Sequence, residues 1–494
     1  MRRTASGDRT FEAVVFIGLL TALLYVVVVQ TQQLIAFSAP SFRTVALYVA
    51  ATFCLFCLYV AVVGLASSGR LRDRPTRVAA CVAPIVIQAA LIWTPPTLSI
   101  DLFSYLAHGR QVQLGRSPYA EPVKEIQHTD YGDLLIERGW LPVHGVSPYG
   151  PLWTWVEIAL ARAATSVEVQ IRLAKGVTVL FSLLCAWLIW LILGRVAPER
   201  QWEGTLLYLW NPVVVVEFAA EGHNDALVAA GVLLSLFFTV SHRPGASLLG
   251  LGSSALVKIT SFVALLPQAV LWWRHRRLRC VPPIVTASLL LGAAAVSLYA
   301  PFWVGVTTLD GVWAHGRPSV QPSTQGVVFW GLTRVYAPEV VGPLLSLVMT
   351  TAFAAIAFRT SLKVTDERTA LGACGRIAVA YLLLAPGYWP WYATLPIALL
   401  SLSPGGWPST TVVLLSLGAR LAAPVERLRL NGLMDWPTAV ILTTAVGLWL
   451  PAAVALAGSA KHGSWFPVDM REGIAGVLGR IPIGRRNPVR RTPS

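Results

Sequence analysis

A few polar stretches in an otherwise apolar chain carry the residues able to move protons or hold charge. The first, residues 101–119 (DLFSYLAHGRQVQLGRSPY), holds Asp101, Tyr105, His108, Arg110 and Tyr119. It follows an apolar run closed by Trp93-Thr94-Pro95-Pro96. An Asp at a membrane boundary is costly unless it is solvated, paired or used. Two uses compete. Asp is a favoured helix N-cap, and 102–109 reads as helical. A carboxylate just past a membrane helix also suits a general base at a bilayer surface. The residues alone leave both open. His108 lies seven residues on, two helical turns and therefore near the same face. The SPY turn at 117–119 recurs at 147–149 and brings Tyr149 to the far end of the same loop.

A second cluster is Trp210-Asn211-Pro212, then Glu217, then Glu221-Gly222-His223-Asn224-Asp225. Asn211-Pro212 interrupts the hydrogen-bond ladder of an apolar segment, which is tolerated only where the break is buried or lines a cavity. Asn224 or Asp225 could cap the next helix. Alternatively, His223 beside carboxylates could orient a phosphate or bind a divalent ion, though one His with acids at this spacing is not diagnostic of metal. Lys258, in SSALVKITSF, must either snorkel or face a polar cavity, where a phosphate would account for it. The aromatic turn 386–392 (PGYWPWY) holds Tyr388 and Trp389, which suit a membrane-edge belt, sugar stacking or the wall of a lipid groove. His315 and Arg317 have no distinguishing spacing. No Walker loop, GxGxxG fingerprint, GxSxG elbow or HExxH pair occurs, so nucleotide-driven and hydrolytic chemistry have no support.

The elements that must position these residues are membrane helices. The 494 residues are 55% hydrophobic and 13% charged, with mean hydropathy +0.62. Soluble domains are about a quarter charged. Apolar spans read at 12–30, 44–66, 78–94, 173–194, 203–219, 224–240, 282–301, 339–358 and 436–457. Shorter ones read near 246–257, 260–273, 377–386, 391–402 and 409–422. The expected fold is an all-α polytopic bundle of about twelve to fourteen transmembrane helices with juxtamembrane helices and loops on its outer face. Basic clusters orient it with both termini and the turns 70–77, 195–200, 273–279 and 363–376 on the cytoplasmic side. Loop 95–150 then faces outward, provided that 151–165 lies on the outer interface, with Trp153, Trp155, Glu157 and Arg162 toward the interface. Residues 1–457 read as one membrane domain, and the basic 458–494 as a disordered cytoplasmic tail. The net charge of +15 follows this topology and gives no support to nucleic acid as a partner. Cys54 and Cys57 share a helix face, which suits packing better than redox chemistry, and no structural disulfide is expected.

The ordered stretches 101–119, 147–153 (SPYGPLW), 209–227 (LWNPVVVVEFAAEGHNDAL) and 255–261 (ALVKITS) resemble the GT-C glycosyltransferases that use polyprenyl-phosphate sugars. The nearest resemblance is to the polyprenol-phosphomannose-dependent α-1,6-mannosyltransferases of actinobacterial envelopes, of the lipomannan and lipoarabinomannan type. It covers roughly the N-terminal half. The resemblance implies a plasma-membrane enzyme working at the outer face, moving mannose from a polyprenyl-phosphate donor to a hydroxyl of an envelope glycolipid or glycan. It places Asp101 as general base in an inverting single displacement. Because phosphate leaves as a stabilised anion, one carboxylate suffices. Lys258, His223 or Arg110 would stabilise that anion. Tyr105, His108, Tyr119, Tyr149, Glu221, Asn224, Asp225, Tyr388 and Trp389 complete the expected binding residues. The acidic pair usual after the first helix is a single Asp here, which favours transfer with no metal or other cofactor. A lipid-linked-sugar transporter or flippase is the alternative, although the broken helices show no inverted symmetry. An O-antigen-type ligase or polymerase is a weaker third. Arabinose, glucose and galactose remain alternatives to mannose.

Overall fold

The computed structural model describes residues 5–38 and 40–455. The tail 458–494, together with Arg2 and Arg3, lies outside the described residues. Among the described residues the chain is helical with no strand. The first long hairpin is α1 (Ala5–Phe37) and α2 (Phe42–Ser67), and α3 (Arg74–Leu91) packs back on α1. Short helices follow: α4 (Asp101–Gln113), α5 (Asp130–Glu137) and α6 (Pro151–Ala163). The central part runs α7 (Val167–Val196), α8 (Gln201–Leu209), α9 (Pro212–Val215), α10 (Asp225–Val240), α11 (Pro244–Ala255), α12 (Leu265–Arg276) and α13 (Val281–Tyr299). Beyond it come α14 (Asp310–His315), α15 (Thr324–Leu332), α16 (Pro338–Leu362), α17 (Glu367–Leu384), α18 (Thr394–Leu400), α19 (Gly406–Ala422), α20 (Val425–Leu430) and α21 (Trp436–Thr444).

Among the described residues, seven helical stretches are long and apolar enough to cross a membrane. The other apolar helices are shorter because the sequence breaks them. Asn211 and Pro212 divide the expected 203–219 span into α8 and α9, and a π-helical turn, Val216–Ala220, follows. The break is satisfied internally. Asn211 Oδ1 accepts from Val213 N at 3.0 Å, and its Nδ2 donates to Ser416 Oγ at 2.7 Å and to the Tyr59 hydroxyl at 3.2 Å. Inside a bilayer such partners are obligatory, since no water is there to supply them. The core is built where α7, α8, α10 and α18 meet, with Leu188, Leu206, Leu233 and Leu399 almost fully buried.

Two expectations are corrected. α6 spans 13 residues, about 20 Å, too short to cross a bilayer. It does not lay Trp153 and Glu157 into the interface, however. Both are fully buried against α4, and Trp155 stays exposed. α4 and α6 approach this closely because Gly109 has no side chain; a Cβ there would stand 2.3 Å from the Glu157 carbonyl. All six cysteines are free thiols, and Cys54 and Cys57 lie exposed on α2 rather than packed within the core.

Candidate active site

Asp101 opens α4 without capping it. The N-cap residue is Ile100, and no side chain caps the helix. The cap reading is therefore corrected: the carboxylate is spent on no backbone N–H and accepts no hydrogen bond among the described residues. It is nevertheless 8% exposed. What fixes Asp101 is its own N–H, which donates to Ser99 Oγ at 3.1 Å.

The loop before Asp101 is held by Glu221. Its two oxygens accept from the backbone N–H groups of Thr97, Leu98 and Ser99 at 3.1 to 3.3 Å, and from the Thr97 hydroxyl at 3.0 Å. A buried carboxylate needs this many donors to replace its water. Buried Lys175 on α7 faces Glu221 with a positive charge and ties down the end of α3, donating to the Leu91 carbonyl at 3.0 Å and to the Thr94 carbonyl. Gly222, at φ +77, leaves the room this needs, since a Cβ there would strike Leu102 at 2.4 Å and meet Lys175 at 3.3 Å.

His223 forms a second tie to the same loop. Its Nδ1 stands 3.1 Å from the Glu217 carboxylate and 3.2 Å from the Glu217 carbonyl, groups that only accept, so Nδ1 carries the proton. Nε2 stands 3.0 Å from Ser99 Oγ, within hydrogen-bond reach. Behind it, Arg420 pairs with Glu217 at 2.6 Å and donates to the Tyr48 hydroxyl at 3.1 Å. One buried chain thus runs Arg420, Glu217, His223, Ser99, Asp101. With both ring nitrogens engaged, His223 has none free for a metal or a phosphate. Its ring stacks on Trp391 at 4.1 Å, and Trp391 stacks on Trp389 at 5.6 Å, so only the outer face of Trp389 remains for a sugar.

Along α4, the face that starts at Asp101 carries groups with unused hydrogen-bonding capacity. The buried Tyr105 hydroxyl has no partner, and its ring meets Tyr149 at 5.4 Å and Trp153 at 5.0 Å edge-on. His108 Nδ1 donates to Glu157 Oε1 at 3.2 Å, which leaves Nε2 unpartnered. Asn224, fully buried, has neither amide atom satisfied. Buried polar atoms in a native fold are nearly always bonded, so these unpaired ones take their partners from outside the chain, whether water or ligand. Ser104 holds His144 Nδ1 at 2.8 Å and accepts from Trp140 Nε1 at 3.2 Å. Burial lowers the His144 pKa, against the pull of Asp101 and with His108 and His315 adding to the lowering.

Across the site, Lys258 pairs with Asp225 at 3.0 and 3.1 Å and lies over the Tyr392 ring at 4.5 Å. Lys258 is placed by a short backbone pairing: Gly150 N donates to the Val257 carbonyl at 2.9 Å and Leu152 N to Leu256 at 3.0 Å. Asp101 and Asp225 both act electrostatically on Tyr105, His223 and Tyr392, which places the two acids on one site. Lys258, Tyr381 and Val263 line a small recess, and Val263 also lines a separate cavity of about 580 Å³ whose other walls are apolar residues such as Leu266, Ala269, Trp272 and Ala357.

Three expected residues lie apart from this centre. Arg110 turns to Gln113 Oε1 at 2.9 Å and to the Tyr131 ring. Tyr119 bonds Thr154 Oγ1 at 2.7 Å and packs near Tyr299. Tyr388 is buried with Leu382, Leu415 and Leu448. Ser99, His144, Lys175 and Arg420 escaped the sequence reading, and Glu157 entered it only as an interface residue. A lone Ser, or a Lys or Arg inside a long helix, carries no local spacing signal; a charge within an apolar segment was the one available clue.

A helical membrane bundle with a polar, partly unsatisfied centre at the ends of its helices is the class of protein that the fold and the site define. Residues 11–274 match the family described as alpha-(1->6)-mannopyranosyltransferase, N-terminal domain, and the chain belongs to that family. It is similar to alpha-(1->6)-mannopyranosyltransferase A of Mycobacterium tuberculosis, 24% identical over 64% of this chain and 63% of that protein. It is also similar to alpha-(1->6)-mannopyranosyltransferase B of Corynebacterium glutamicum, 24% identical over 65% of this chain and 57% of that protein. To the A protein of the same organism it is 24% identical over 35% of each chain. The chain thus spans less than two thirds of the length of these relatives.

Proposed function

We propose that this chain is a plasma-membrane mannosyltransferase that moves mannose from a polyprenyl-phosphate donor to a hydroxyl of an envelope glycan or glycolipid, forming α-1,6 linkages. The observation that carries the reading is Asp101: a buried carboxylate with no hydrogen bond, held by its backbone and ringed by unsatisfied donors and acceptors. Asp101 takes the proton of the acceptor hydroxyl as its oxygen attacks the anomeric carbon. The phosphate leaves with the bonding electrons, and the anomeric centre inverts. Of the three cations expected to receive the phosphate, Arg110 turns away to Gln113 and both His223 nitrogens are hydrogen-bonded, so the role is given to Lys258, which the Asp225 carboxylate holds in the centre. The apolar cavity that shares Val263 with the Lys258 recess suits an isoprenoid tail. The Tyr105 hydroxyl, His108 Nε2 and the Asn224 amide are the groups left to hold sugar hydroxyls. No step in this route needs a metal. In this reading both termini are cytoplasmic and the site opens on the outer face.

The test uses membranes carrying the wild type or Asp101→Asn, radiolabelled polyprenyl-phosphate mannose and mixed envelope glycolipids. Removal of a general base costs about 10²- to 10⁴-fold, so label should enter glycolipid only with the wild type. Equal transfer by both would eliminate Asp101 as base. Transfer by the wild type from another polyprenyl-phosphate sugar, but not from mannose, would overturn the choice of sugar.

A further inference from the structure

α10 begins at Asp225 in the candidate active site and runs 16 residues to Val240, about 24 Å away. At that far end three side chains from three elements converge: His242 just past α10, His275 in the last turn of α12, and Glu367 at the start of α17. His242 Nε2 lies 3.7 Å from Glu367 Oε1, and His275 Nδ1 lies 3.6 Å from the same oxygen. All three donor atoms fall within 4.8 Å of one another. These separations are too long for hydrogen bonds. The two distances to Glu367 come near the edge of a tetrahedron around an ion with bonds of about 2.0–2.1 Å, which is about 3.4 Å. The two rings are tilted by 58° with centroids 5.3 Å apart, so they are not stacked on each other. His242 has φ 56, a left-handed conformation uncommon outside glycine, and the Arg276 guanidinium donates to its carbonyl at 3.1 Å. Strained backbone of this kind persists where the surroundings over-determine a side chain's position.

We propose that His242, His275 and Glu367 bind one divalent transition-metal ion of the zinc class. Two imidazoles and one carboxylate select Zn²⁺, Co²⁺ or Ni²⁺ over Mg²⁺ and Ca²⁺, which prefer all-oxygen sets. Side-chain exposures of 47%, 31% and 26% give the ion a way in and leave a fourth position to water. The bound ion ties the turn after α10 to α12 and α17, anchoring the end of α10 remote from Asp225. Neighbouring arginines oppose a cation: Arg243 adjoins His242, Arg276 and Arg274 donate to the neutral His242 and Leu362 carbonyls and keep their charge, and Arg368 alone of these pairs with an acid, Glu199. The affinity is accordingly on the order of micromolar, well short of closed structural zinc sites.

The full chain, purified in detergent without a polyhistidine tag and stripped by chelator, is titrated with ZnCl₂ by calorimetry and with CoCl₂ by visible absorption. One saturable equivalent, tetrahedral Co²⁺ bands and a zinc-dependent rise in melting temperature are expected. His242→Ala and His275→Ala should each weaken binding about tenfold or more. His128→Ala, remote and exposed, should bind as the wild type does. Each variant's melting temperature in chelator reports its folding, and if one fails to fold the other carries the test. No saturable uptake, or uptake unchanged in both His variants, would overturn the site.

Discussion

Asp101 is positioned by neighbours that never touch its carboxylate. Glu221 gathers the N–H groups of 97–99, and Ser99 receives the Asp101 N–H. Glu221→Gln keeps one acceptor and turns the other toward these donors as an amide. Hydrogen bonds to a charged partner are worth about 1.5–3 kcal/mol, so stability should fall by about 2 kcal/mol, measured by thermal unfolding in detergent. In the proposed mechanism transfer should fall mainly through kcat, since the proposed base is displaced while Lys258 and its surroundings are intact. His144 makes a pH prediction. Its folded-state pKa lies below the ordinary 6.5. The unfolded chain therefore binds the proton more readily, and stability is full above about pH 6.5 and declines as pH falls through that value toward the folded pKa. His144→Gln should flatten this acid limb of the melting-temperature profile; an unchanged limb would assign it to other groups.

At the scale of elements, the crossing of α4 and α6 is the most exacting contact near the site. Gly109→Ala would set a methyl 2.3 Å from the Glu157 carbonyl and 2.9 Å from Ala161 Cβ. Overpacking of this kind costs about 1–3 kcal/mol. It should also move the His108–Glu157 pair and reduce transfer. Gly176→Ala on α7 is the counterpart: nothing lies within 4 Å of its Cβ, so the change should be neutral or stabilise by up to about 1 kcal/mol. Thermal unfolding of the two variants side by side checks both. Most helices were legible from apolar runs and punctuation. The break at Asn211-Pro212, the short helix after Asp101 and the span at 167–196 each have a local cause in composition. The pairings of α4 with α6, and of 150–152 with 256–257, were not legible. They join segments far apart in the chain and depend on glycines that look like any others. For the same reason Asp101, His223 and Lys258 stood out in sequence while Ser99, Lys175 and Arg420 did not.

Across the whole molecule, the recess at Lys258 and the apolar cavity meet at Val263, and the proposed donor would set its phosphate in the first and its tail in the second. Ala269 and Ala357 line that cavity. Filling it with Ala269→Trp should raise KM for a long polyprenyl-phosphate donor and leave that for a short citronellyl-type donor unchanged. Equal effects on both donors would place the tail elsewhere. A further consequence follows from the ion pair of Glu217 and Arg420. Residues 11–274 match the family, yet the guanidinium that neutralises Glu217 comes from α19, beyond that stretch. Both partners are 2% exposed, and stripping one charge from a buried pair costs about 3–5 kcal/mol. The two portions are therefore poor candidates for exchange between relatives: a chimera joined between them inherits a working centre only if its donor of the second portion brings an arginine to the same place.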